Sequence, residues 1–153
     1  MLKLTVMDTN HFKKYIDTAV QEYATEKEAA GTWLKVDALK NAQDTYNRLL
    51  PLGLETPHNF FYTILDDTTI VGYVWFGADN ENESVAFIFD FEIYGPYQNN
   101  GFGSHALNLV TPEAKEKGFT SLGLHVFGSN TRAIHVYEKS GFKITDVKMK
   151  KDI

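Results

Sequence analysis

The sequence predicts a mixed α/β fold, a central sheet with helices on both of its faces. Three observations lead there. First, segments with the two-residue alternation of strands and segments with helical spacing follow one another in the order β-α-α-β-β-β-α-β-α-β. Second, the early strands are joined by a short polar turn, as in a hairpin, whereas the late ones are separated by helical stretches, as in crossovers. Third, the chain has 153 residues, 43% apolar and 23% charged. That is one domain's length with an ordinary globular balance, enough to bury about two-thirds of the unfolded surface.

The elements follow in order. Leu2, Leu4 and Val6 alternate with polar neighbours and read as a first strand. Phe12, Tyr15, Ile16, Ala19, Val20 and Tyr23 recur at three- and four-residue spacing, a helix that Thr9 or Asn10 can cap and Gly31 can stop. A second helix is expected from Asp37 to Leu50, with Leu39, Ala42, Tyr46, Leu49 and Leu50 inward and Pro51 ending it. Phe60 to Leu65 and Ile70 to Phe76 are rich in aromatic and β-branched residues and flank Asp66-Asp67-Thr68-Thr69, a hairpin. After a polar turn from Ala78 to Glu83, Val85 to Tyr94 is the most hydrophobic segment and the central strand. A helix follows from about Phe102 and closes at Gly118. Leu122 to Phe127 is a strand, Thr131 to Lys139 a helix, and Phe142 to Met149 a final strand.

Composition narrows function. Fifteen basic against twenty acidic residues give a net charge of −5, which argues against nucleic-acid binding, since that needs a basic face. No apolar run approaches the roughly 20 residues of a membrane span. The first residues are too few and too polar for a signal peptide, so the simplest expected location is cytoplasmic. There is no cysteine, hence no disulfide, thiolate metal site or cysteine nucleophile. The histidines lack metal-ligand spacing, and no metal is expected.

Chemistry is most legible at Gln98-Asn99-Asn100-Gly101-Phe102-Gly103-Ser104, between the central strand and the next helix. Gly101 and Gly103 allow a sharp turn and close approach of a ligand. The first amides of a helix have no internal partner, and the helix dipole adds positive potential, so together they suit an anion such as phosphate. A P-loop is absent, since it needs Gly-Lys-Ser/Thr. Gly101, Gly103 and Ala106 satisfy a dinucleotide fingerprint, yet the acid expected on the next strand is missing from Leu122-Gly123-Leu124-His125-Val126-Phe127-Gly128. The alternative is a glycine-eased turn that binds nothing.

Gln98-x-x-Gly101-x-Gly103 resembles the Arg/Gln-x-x-Gly-x-Gly/Ala signature of the GNAT family, the GCN5-related N-acetyltransferases. A second block, Asn130-Thr131-Arg132-Ala133-Ile134-His135-Val136-Tyr137-Glu138-Lys139-Ser140-Gly141-Phe142, is similar to that family's Asn-x-x-Ala-x-x-x-Tyr-x-x-x-Gly-Phe. The order of elements resembles the GNAT fold, with its mixed, mostly antiparallel sheet, over nearly all of residues 1–153, a single N-acetyltransferase domain. Ala30-Gly31-Thr32-Trp33 with Gly53-Leu54-Glu55-Thr56-Pro57 looks like a bacterial subgroup whose substrates are largely unassigned. Two departures stand out. Gln98 replaces the commoner Arg and forfeits a charged fork toward phosphate. Pro112 lies inside a predicted helix, where it removes a hydrogen bond and clashes with the Asn108 carbonyl, so a kink or early end is expected.

The resemblance implies acetyl-CoA as donor, a small-molecule or peptide amine as acceptor, and direct transfer in a ternary complex. It implies that the backbone of Asn99 to Ser104 holds the pyrophosphate. It also implies that pantetheine pairs with backbone of Phe91 and Ile93 where the strands part, and that Asn130 lies near it or simply caps its helix. Tyr137 is carried over as general acid for the leaving thiolate. A phenol is a weaker acid than a thiol by an amount worth about 2 kcal/mol, which suits a hydrogen-bond donor better than a full proton donor. An alkyl ammonium must lose a proton before it can attack. Asp90 and Glu92 are the candidates to accept it. They alternate with Phe87, Phe89, Phe91 and Ile93, so both point to one face, roughly 6.6 Å apart. Repulsion at that distance makes one of them the better acceptor. The alternative is a plainly solvated face. Tyr23, Trp33, Tyr62, Tyr73 and Trp75 are core residues or walls of an acceptor pocket. A non-catalytic acyl-CoA-binding sensor module is the competing function, since the turn alone supports binding. An apolar edge strand leaves a homodimer open.

Overall fold

In the computed structural model, which describes residues 1–153, nine regular elements follow in chain order. They are β1 (Leu2–Val6), α1 (Thr9–Ala29), α2 (Lys35–Leu49), β2 (Asn59–Asp66), β3 (Thr69–Ala78), β4 (Val85–Ile93), α3 (Phe102–Glu116), β5 (Ser121–Leu124) and α4 (Thr131–Lys139). Single turns of 3-10 helix lie at Gly53–Glu55 and Gly95–Tyr97. The chain divides into two compact units: a helical unit, Val6–Phe61, and a sheet unit, Met1–Thr5 with Tyr62–Ile153.

In the helical unit, α1 is capped by Asp8, not by Thr9 or Asn10. The Asp8 carboxylate accepts from the His11 amide at 2.7 Å, while Thr9 and Asn10 are already helical. Gly31 stops α1 as expected, with φ +73° in the left-handed region. The second helix begins two residues before the expected Asp37, and its apolar face is rotated. Ala38 is 3% exposed and Leu39 is 47% exposed, so small alanines meet α1 where leucine was expected. Ala24, Ala38 and Ala42 form the centre of this unit, flanked by Val20, Tyr23 and Trp33. Tyr23 meets Trp33 edge-on at 5.4 Å and Tyr46 at 5.8 Å.

The sheet is mixed, in the order β1-β2-β3-β4-β5. β3 and β4 are antiparallel, and β4 and β5 parallel. The hairpin turn between β2 and β3 falls at Asp67, which takes φ +53°. Leu2, Ile64, Val71, Ile93 and Ala106 form a buried cluster, with Phe91, Phe102 and Leu109 packed on it. A Cβ on Gly72 would stand 2.1 Å from the Glu92 carbonyl oxygen, so β3 approaches the β4 backbone more closely than any side chain allows.

The early helix end and the final strand that the sequence allows are both absent, for physical reasons. α3 runs through Pro112 to Glu116 rather than ending early. Pro112 and Asn108 are both exposed, so the carbonyl robbed of its partner faces solvent. The final strand expected from Phe142 to Met149 does not form, and residues 142–153 carry no regular element. The apolar parity changes within it. Phe142 and Ile144 fall on one parity, Val147 and Met149 on the other, so no single face of a strand is apolar throughout. Ile144, Val147 and Met149 are all exposed.

Candidate active site

The site begins with one extra residue in β4. Phe76 pairs with Ile88 and Trp75 with Asp90, which leaves Phe89 as a bulge. The parallel ladder with β5 runs from Val85↔Ser121 to Ile88↔Leu124, ending just before that bulge, while β4 continues to Ile93. Beyond it the Tyr94 amide donates to Val71 at 2.8 Å, on β3. Backbone groups of alternate residues point to opposite edges of a strand, so those of Ile93, and of Phe91 with it, project away from β3. Their side chains are held in the core.

The bulge also decides which way the acids face. Residues directly opposite across a ladder share a face. Tyr73 pairs with Glu92 and Trp75 with Asp90, so both acids lie on the Tyr73 and Trp75 face, while Phe91 pairs with the fully buried Val74. Phe87 pairs with Gly77 and therefore shares the acids' face, contrary to the expected alternation. Phe89 stacks on Trp75 at 4.8 Å and meets Phe87 edge-on at 5.1 Å. The two acids are thus half-buried at the foot of an aromatic wall. Tyr73, 5% exposed, reaches both: its hydroxyl lies 2.9 Å from Glu92 Oε2 and 3.3 Å from Asp90 Oδ2.

The glycine turn is braced from within. Gln98 Nε2 donates to the Ile93 carbonyl at 2.8 Å, so this side chain pins the end of β4 and does not reach outward. The Gln98 amide is taken as well, by Gly95 at 3.2 Å. Asn100 Nδ2 donates to the carbonyls of Tyr97 at 3.1 Å and Gln98 at 3.2 Å. Asn99 and Gly101 both adopt the left-handed region, at φ +65° and +75°. The helical ladder of α3 starts with the His105 amide donating to Gly101 at 3.2 Å, so the amides of Phe102, Gly103 and Ser104 precede it. A Cβ on Gly103 would meet nothing within 4 Å, and its φ is not left-handed. Neither packing nor backbone conformation demands glycine there, and amides that precede a helix's ladder are suited to an anion.

α4 supplies the rest. Asn130 caps it, accepting from the Ala133 amide at 3.2 Å. Arg132, which the sequence reading passed over, donates from Nη2 to Asn99 Oδ1 and brings a guanidinium against the turn. Its signal lay in the second motif block, but only the fold brings it to the first. Tyr137 meets Phe142 edge-on at 5.8 Å, and burial pushes its phenol pKa up, further from that of a proton donor. No hydrogen bond links Tyr137 to the acid pair. His125 lies just past β5 with its ring against Phe127. No group of three or more His, Asp or Glu side chains is arranged for a metal ion, and no helix is long and apolar enough to cross a membrane.

Comparison with known proteins identifies the family. The model of the acetyltransferase (GNAT) family matches residues 23–142, and the chain belongs to that family. It is an acyltransferase by that membership. It is 40% identical over 154 residues to the uncharacterized N-acetyltransferase YycN of Bacillus subtilis (strain 168), covering 99% of each. The crystal structure of that acetyltransferase superposes with a TM-score of 0.89 over 100% of this chain and 99% of that one. The PaiA N-acetyltransferase of Thermoplasma acidophilum, solved with coenzyme A, has the same fold at 18% identity, with a TM-score of 0.68 over 97% and 93% of the two chains.

Proposed function

We propose that residues 1–153 act as one N-acetyltransferase domain that transfers an acetyl group from acetyl-CoA directly to a primary amine, in the cytoplasm. The observation that carries this reading is the set of amides that precede the α3 ladder, at a turn where a Cβ added to Gly103 would meet nothing within 4 Å. The amides of Phe102, Gly103 and Ser104, the backbone of Asn99 and Asn100 at the turn, and the Arg132 guanidinium hold the diphosphate. Arg132 thereby supplies the charged fork that Gln98 lacks. Edge groups of Phe91 and Ile93 pair with the pantetheine amides. Ile93 retains its N–H for this, since Gln98 donates to its carbonyl.

Bound acetyl-CoA supplies a thioester, whose carbonyl carbon accepts the nucleophile. The ammonium of the acceptor gives one proton to the Asp90–Glu92 pair. The freed nitrogen bonds to the acyl carbon as the carbon–sulfur bond breaks. A second proton leaves the nitrogen, the sulfur gains one, the third stays on the amide nitrogen, and the acid pair releases its proton to water. Tyr137 donates a hydrogen bond to the sulfur as charge develops. With no cysteine, an acetyl-thiol enzyme is excluded, which favours direct transfer.

The test is thiol release from acetyl-CoA across a panel of primary amines, with calorimetry of CoA binding to the parent protein and to Gly103→Val. That variant is expected to fold normally and to bind CoA at least about tenfold more weakly, the effect of losing an amide–phosphate contact or two. Unaltered binding removes the turn from the site. Tight binding without turnover on any amine supports the sensor reading instead.

A further inference from the structure

We propose that Asn99 is a positioning residue for the cofactor's phosphates: its side-chain amide clasps Arg132 to the glycine turn and leaves the pair with free donors and an uncancelled positive charge. The inference rests on the proposed acetyltransferase reading and says what selects phosphate at that turn. Arg132 Nη2 donates to Asn99 Oδ1. A guanidinium has five N–H groups and no acceptor, so it takes the oxygen end of an amide. Nδ2 is then the free end of Asn99, and the remaining N–H groups of Arg132 are unengaged. Neither side chain has another polar partner, and no carboxylate pairs with Arg132. Both residues are exposed.

The backbone narrows what can stand at position 99. Asn99 lies in the left-handed region at φ +65°, two residues before Gly101 at φ +75°. Glycine, asparagine and aspartate are the residues that enter that region most readily. Among these three the contact with Arg132 decides. Glycine leaves the guanidinium unheld, free among the rotamers of a long side chain. Aspartate holds it firmly, but as an ion pair that cancels its charge and sets a carboxylate where an anion is to bind. Asparagine holds it and keeps the charge. The neighbouring amides do not duplicate this. Asn100 gives its Nδ2 to the Tyr97 and Gln98 carbonyls, and Gln98 its Nε2 to the Ile93 carbonyl, so both serve the turn's own backbone.

The first readout needs no cofactor. A guanidinium held at one Nη rotates slowly and gives resolved proton–nitrogen NMR signals, whereas a free one gives averaged signals. The Arg132 signals, assigned by their loss in Arg132→Ala, are expected to be resolved in the parent protein and averaged in Asn99→Gly. Averaged signals in the parent overturn the proposal and leave the acetyltransferase reading standing. The second readout is calorimetry with CoA. Glycine and aspartate both suit the backbone at position 99, so these variants are expected to fold. Arg132→Ala is expected to bind about tenfold more weakly and Asn99→Gly about threefold. The double variant is expected to bind no more weakly than Arg132→Ala alone. Asn99→Asp is expected to bind more weakly than Asn99→Gly, and added salt to weaken binding by the parent more than binding by Asn99→Asp. In acetyl transfer, Asn99→Asp is expected to raise the acetyl-CoA KM with kcat nearly unchanged. Losses that simply add in the double variant, or an Asn99→Asp protein that binds CoA as tightly as the parent, overturn the proposal. A parent protein that binds no CoA defeats the acetyltransferase reading and the clasp together, whereas a parent that binds it with additive losses defeats the clasp alone.

Discussion

Two phenols in the sheet unit, the buried Tyr62 and the half-buried Tyr137, make a solution property follow from single residues. Tyr62 donates to Glu113 at 3.0 Å and stacks on Phe76 at 5.8 Å, and burial first, then that hydrogen bond, raises its pKa. Burial alone raises Tyr137. A phenol whose folded pKa is raised stabilises the fold fully below the unfolded value and less as pH climbs past it, because the unfolded chain then releases protons that the native chain retains. The protein is therefore expected to lose stability as pH rises through about 10, the unfolded phenol value. Thermal melts between neutral and strongly alkaline pH check this, and Tyr62→Phe and Tyr137→Phe should each flatten the alkaline fall. At Tyr137 the same burial bears on chemistry. A phenol made weaker as an acid serves better as a hydrogen-bond donor to a developing thiolate than as its proton source.

Among the elements, β3 and β4 matter most, since their register sets both the parting from β5 and the face of the acids. Gly72 is the position at which that register is most exposed to mutation. Any side chain there collides with the Glu92 backbone, which cannot move without disturbing the residue opposite Tyr73. Gly72→Ala is expected to destabilise by about 1–3 kcal/mol, the usual scale of overpacking. Denaturant unfolding measures it, and an unchanged midpoint would show the strands to be less closely held than described. Pro112 illustrates the opposite case. A residue that breaks helices in general is tolerated in α3 because the carbonyl it orphans lies on the wet side.

On the scale of the whole molecule, order is unevenly spread along the sheet unit. β3 lies between two partners and holds fully buried residues at Val74 and Phe76. Residues 143–153 lie outside any helix or strand, and their side-chain contacts are local and exposed, such as Thr145 with Asp146 and Lys150 with Asp152. Amides of β3 are expected to exchange with solvent only through large-scale unfolding, and those of residues 143–153 within seconds. Hydrogen exchange followed by mass spectrometry checks this. Slow exchange in the tail would mean that it pairs with something, a sheet edge or a second chain.

The sequence by itself determined what depends on neighbours along the chain. The glycine turn and the Asn130–Phe142 block were legible because a helix start is written in a few consecutive residues, and the two together identified the family. The Gly31 and Gly118 stops were legible for the same reason, whereas the cap moved one residue, to Asp8, because several adjacent side chains are able to cap and only one does. Tertiary structure alone decided what depends on pairing. One bulged residue, Phe89, turns Asp90 and Glu92 away from the Val74 face and onto Tyr73 and Trp75. A strand's alternation is preserved by the sequence up to such a bulge and reversed beyond it. The same holds for Arg132 at Asn99, a contact between residues thirty-three apart, and for the tail, whose apolar residues never found a common face.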